Sequence, residues 1–98
     1  MTDEKLQKDA ERGNRAHRII NDDLMIEARK HIDDEILRLF RACAPTDTEA
    51  LTQIKSMQYF GDKFFAFMDR AIKDGRHAQF EIERRKKTMK DRVKGLIG

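Results

Sequence analysis

The chain has 98 residues, 40% of them charged and 39% hydrophobic, with a formal net charge of +3, one proline, five glycines and one cysteine. That length holds one domain at most with a modest core, and the mixture argues against low-complexity and globally disordered chains in favour of a helix-rich, water-soluble one. No run of 18 apolar residues exists to cross a membrane, Met1 to Lys5 lacks the apolar core of a signal peptide, and Cys43 has no disulfide partner.

These features predict an intracellular protein, not a secreted one, and the start at Met1 predicts a complete small protein. Residues 1–20 predict a weak N-terminal helix. Leu6, Ala10, Gly13 and Ile20 share one side, acidic Asp3 and Glu4 suit the start, and Arg15 and Arg18 suit the end. Gly13-Asn14 is expected to weaken its middle or break it.

A helical hairpin is predicted over residues 21–75. Its first arm opens at Asn21-Asp22-Asp23, where each side chain can cap a helix. Met25, Ala28, Ile32, Ile36, Leu39 and Cys43 then recur at helical spacing, and Ile26, Leu37 and Phe40 widen the apolar stripe to about 180°. The arm should end near Ala44, because the residue before Pro45 avoids the α region. Thr46 and Glu49 form a capping box, and the second arm runs from about Asp47 to Asp74, with Gly75 as a left-handed C-cap. So short a connection around Pro45 makes the arms antiparallel. Gly61, inside the apolar arc of the second arm, is either a tolerated weak helix former or a point of close helix approach.

Residues 76–98 predict a basic C-terminal helix from His77 to Lys94, carrying eight Lys/Arg against three Asp/Glu. Ile82, Met89, Val93, Leu96 and Ile97 give it a thin apolar stripe, and Gly95 and Gly98 let its end fray. The expected fold is therefore all-α: a single domain over 1–98, built as an antiparallel hairpin of two long helices with shorter flanking N- and C-terminal helices.

Five of the seven aromatic residues, Tyr59, Phe60, Phe64, Phe65 and Phe67, fall within nine positions of the second arm. At about 100° per residue, the apolar residues from Phe67 round to Phe65 cover an arc of about 160°. A helix packed on one neighbour needs little more than about 100°. The surplus predicts an interface through Met57, Phe60, Phe64, Phe65, Phe67 and Met68, either in a homo-oligomer or with another protein.

Chemistry has little support. His31, Asp34 and Glu35, with Glu27 one turn earlier, share a helix side, but no Glu-x-x-His pair of the kind that builds di-metal carboxylate bundles is present. Cys43 falls in the apolar seam of its arm, where a thiol is packing material. No phosphate loop, nucleophile elbow or Cys-x-x-Cys pair occurs, so the expectation is a non-enzyme without metal or cofactor. The strongest polar signal is basic: Arg84, Arg85, Lys86, Lys87, Lys90 and Lys94. This cluster predicts phosphate contact with nucleic acid, without interleaved aromatics for base stacking. Its thin stripe lacks tryptophan, so membrane binding is not expected.

Glu11-Arg12-Gly13-Asn14-Arg15-Ala16, a helix opening at Asn21-Asp22, and Asp47-Thr48-Glu49-Ala50 before a longer helix resemble a group of small helical phage proteins encoded among head-morphogenesis and packaging genes. The likeness spans residues 11–75 in layout and matches neither the aromatic cluster nor the basic tail. It implies a virion or assembly role, a location in the host cytoplasm or the virion, and phage or host proteins as partners. It carries over no catalytic residues. The leading expectation is a phage assembly or virion protein that oligomerises or docks on a partner. The alternatives are a DNA-binding packaging factor resembling a small terminase subunit, and an inhibitor protein that binds a host enzyme.

Overall fold

The computed structural model describes residues 2–97, without the side chain of Ile97, so the expectations placed on Met1, Gly98 and that side chain lie outside the described residues. Three helices account for most of the described residues: α1 (Asp3–Ile20), α2 (Asp23–Ala42) and α3 (Thr48–Ile97). The all-α expectation holds in this form, and the hairpin with two flanking helices is corrected to three helices, the last of them 50 residues long.

The correction centres on Gly75. It was expected to stop a helix in the left-handed conformation, but none of the described glycines has positive φ, and α3 runs through it without a break. After Pro45 there is no proline to stop a helix, and the segment that follows Gly75 is rich in Glu, Arg and Lys, which are strong helix formers.

The other boundaries follow local chemistry. Thr2 Oγ1 accepts from the Lys5 amide at 3.2 Å at the start of α1, and Asp22 caps α2 by accepting from the Leu24 amide at 2.9 Å. α2 ends at Ala42, two residues earlier than expected. Cys43 is its C-cap in an extended conformation (φ −82, ψ 130), so it lies at the end of the helix and not within the helical seam. Asp47, not Thr46, caps α3, its carboxylate accepting from the Ala50 amide at 3.1 Å.

The chain divides into two compact units, Met1–His17 with Asp69–Gly98 and Arg18–Met68, and α3 contributes to both. In the first unit, α1 lies on the C-terminal part of α3 through small residues. Leu6, Ala10 and Ala78 form the buried cluster with Ile82 against it, and Gly13, Ala16, Ala71 and Gly75 are also buried. A Cβ built on Gly13 would stand 2.6 Å from the Gly75 Cα and 2.9 Å from the Ala71 carbonyl oxygen. Neither glycine has room for a side chain, and that close crossing is why Gly13 neither weakens nor breaks α1. The Arg85 guanidinium closes the unit on Asp3 at 2.6 Å.

In the second unit, α2 lies on the N-terminal part of α3. Arg29 of α2 stands 4.0 Å over the Phe65 ring, and Phe40 lines the same groove as Leu51. Early residues of α2 meeting later residues of α3, and late meeting early, make the pair antiparallel. Ile54 and Met68 are buried, while α2 buries no residue completely.

Candidate functional site

The two sides of the second unit differ. On one side a groove is lined by Asp33, Ile36, Leu37 and Phe40 of α2 and by Leu51, Lys55, Gln58 and Asp62 of α3, so polar residues of α3 border it. At about 100° per residue, Ile32 and Leu39 fall on the opposite flank of α2 from Leu37 and Phe40. By the same count Met57, Phe60, Phe64 and Phe67 fall on the opposite flank of α3 from Gln58 and Asp62. The second side thus carries apolar residues of both helices, with Glu35 beside those of α2.

The single chain leaves most of that side uncovered. Phe60 is 71% exposed, Phe67 59%, Ile32 48%, Phe64 47% and Met57 42%. Burial of aromatic and aliphatic side chains is the main driving force of association, and a contiguous exposed patch marks an interaction surface more often than scattered single residues do. Of the six interface residues expected from sequence, Phe65 and Met68 are placed differently: Phe65 is half-buried beneath Arg29, and Met68 is buried. The rings of Phe64 and Phe65 meet edge to face at 5.2 Å, and those of Tyr59 and Phe60 at 5.9 Å. Ile32, assigned by its spacing to the hairpin seam, joins the exposed face. The width of the α2 stripe was the signal that could have placed it there.

Gly61 lies half-buried beside this face, and a Cβ built on it meets no atom within 4 Å. The close helix approach considered for Gly61 occurs instead at Gly13 and Gly75.

The basic segment is also sorted by its partners. Arg84 binds Glu81 through two nitrogens, one at 3.0 Å, and Arg85 reaches Glu81 at 3.4 Å besides Asp3. Lys86, Lys87, Lys90 and Lys94 are exposed and form no ion pair among the described residues. Their spacing places them on one side of α3. Met89, Val93 and Leu96 are exposed beside them.

The hydrogen bond from Arg84, reinforced by Arg85, holds the Glu81 carboxyl down to about 2 from an ordinary 4.5. A depressed carboxylate stabilises the folded state fully above its unfolded value and loses that contribution as pH falls towards 2. The melting temperature is therefore expected to fall between pH 5 and pH 2, and to fall less in Glu81→Gln. Equal acid sensitivity of both proteins in thermal melts would contradict this assignment. A similar but smaller arrangement holds Glu35 down, chiefly through its hydrogen bond from Arg38.

Other chemistry is sparse. Among the described residues no group of three or more His, Cys, Asp or Glu is placed to hold a metal ion, so Glu27, His31, Asp34 and Glu35 do not form such a set. The Cys43 thiol is half-buried and donates to the Ala44 carbonyl at 3.4 Å. No helix among the described residues is long and apolar enough to cross a membrane. No family model, characterised protein or solved structure matches the chain.

Proposed function

We propose that this is a non-enzymatic assembly protein that works by docking the aromatic face of its second unit against a protein partner. The observation that carries the reading is the exposure of Phe60, Phe64 and Phe67 on the same helix whose Ile54 and Met68 are buried. Aromatic anchors in a desolvated centre supply most of the energy of a protein interface, and these three sit together within two turns. A small phage assembly or virion component is the concrete form, supported by the resemblance of residues 11–16 and 47–50 to phage proteins of the head and packaging genes.

Circular dichroism of Phe60→Asp in dilute solution tests the reading. Helix content should be unchanged and unfolding free energy should stay within about 0.5 kcal/mol of wild type, as for a surface substitution. Collapse of the helices would make Phe60 part of the monomer core and remove the proposal.

The four lysines that form no ion pair among the described residues favour a second reading, a DNA-binding packaging factor. If Lys86, Lys87, Lys90 and Lys94 each neutralise one phosphate of duplex DNA, the log–log salt slope of binding should be about −3.6. The fourfold Lys→Gln variant should lose most of that slope in filter binding. Absence of binding by the wild type at low salt would end this reading.

A further inference from the structure

We infer that the occupant of the aromatic face is a second copy of this chain, joined hairpin to hairpin across a two-fold axis as a four-helix arrangement. The inference rests on the docking reading above and names the partner.

The exposed area is of the size such a pair needs. Taking about 200 Å² for a whole aromatic side chain, the exposed parts of Phe60, Phe64 and Phe67 amount to about 350 Å². Met57 and Ile32 bring the apolar face to about 500 Å² per copy, so a symmetric pair that covers it completely buries about 1,000 Å² before its polar border is added, the least expected of a biological interface.

The shape fits as well. The face spans two antiparallel helices, and its natural complement is another antiparallel pair. A two-fold axis parallel to the helices sets α2 of one copy over α3 of the other, with every neighbouring pair antiparallel. Lys63 borders the face on α3, one turn from both Phe60 and Phe67, and Glu35 borders it on α2, one turn from Ile32 and Leu39. Within the chain Lys63 stands 5.4 Å over the Tyr59 ring and Glu35 pairs with Arg38. The two-fold rotation brings Lys63 of each copy to the α2 edge that carries this pair, where it adds a second cation to Glu35. Gly61 adds a space beside the face where a Cβ would meet nothing in the single chain. The second copy packs over that space.

Sedimentation equilibrium from low to high micromolar concentration decides the matter. Wild type should rise from 11.6 kDa towards twice that mass. Gly61→Leu should keep or raise its dilute melting temperature, because leucine is the better helix former and the site is open within the chain. Its association should be about tenfold weaker or worse, because the added side chain occupies the space the partner needs. Lys63→Glu should weaken association about threefold, an effect that shrinks in high salt.

Wild type that stays monomeric throughout overturns the inference, as does Gly61→Leu associating as tightly as wild type. Should Gly61→Leu lose helix content, Lys63→Glu decides, and unaltered association there overturns the inference too. A wild-type monomer whose Phe60→Asp variant keeps its fold removes the second copy and leaves docking on a different protein. Unfolding of Phe60→Asp removes both.

Discussion

Leu6→Ala is expected to release α1 from α3. Leu6 is fully buried in a cluster with Ala10 and Ala78, with Ile82 packed against it, and is the largest fully buried side chain among the described residues. Truncating a buried leucine costs about 2–5 kcal/mol, from lost transfer energy and the cavity left behind. The alanines around it are too short to fill that cavity. A unit made of Met1–His17 and Asp69–Gly98 has only about 2–7 kcal/mol of stability in all, so the substitution removes much of it. Amide hydrogen exchange should show residues 6–16 losing protection while the α2-facing part of α3 keeps it. Undiminished protection in α1 would mean that Leu6 is not what holds it.

Gly13→Ala carries the second large effect, and its sign runs against helix propensity. Alanine in a helix interior is normally better than glycine by about 1 kcal/mol. Here the new methyl would stand 2.6 Å from the Gly75 Cα and 2.9 Å from the Ala71 carbonyl oxygen, both backbone atoms with no rotamer to yield. The helices must separate, and overpacking of this kind costs about 1–3 kcal/mol. With a melting temperature that moves about 4–8 °C per kcal/mol in a domain of this size, a drop of several degrees is expected. Gly95→Ala, where a Cβ meets nothing within 4 Å, should leave the melting temperature unchanged or raise it. A stabilised Gly13→Ala would show that the helices do not cross there.

The same two glycines show where the sequence stops being legible. The bounds of α1 and the start of α2 follow from acids, caps and apolar period, all local signals, and α1 appears over the expected residues. A helix C-cap and a close helix crossing both call for glycine. Only the presence of Gly13 opposite, distant in the chain, tells them apart, and nothing local to Gly75 encodes it. Once that crossing is known, the separate C-terminal helix disappears into α3.

The candidate face is a similar case. The width of the aromatic arc shows that α3 carries more apolar surface than one neighbour covers. It does not show which part of the arc faces α2. That depends on Phe65 sitting under Arg29, and the consequence is that Phe65 and Met68 turn inward while Ile32 turns out. The basic cluster is readable as composition, and the pairing of Arg84 and Arg85 with Glu81 is local, but the second pair of Arg85, with Asp3, depends on the α1 crossing.

The central claim is that Phe60, Phe64 and Phe67 are exposed to solvent in the single chain and covered when it is partnered. The most direct measurement is attenuation of aromatic ring signals in NMR spectra by a soluble paramagnetic probe, at low and at high protein concentration. Phe80, 65% exposed in the other unit, is the open reference, and half-buried Phe65 is the covered one. In dilute solution Phe60 and Phe67 should be attenuated as strongly as Phe80. At high concentration Phe60, Phe64 and Phe67 should become protected while Phe80 does not. Attenuation of Phe60 and Phe67 no greater than that of Phe65 in dilute solution would contradict the account, because it would place those rings inside the single chain.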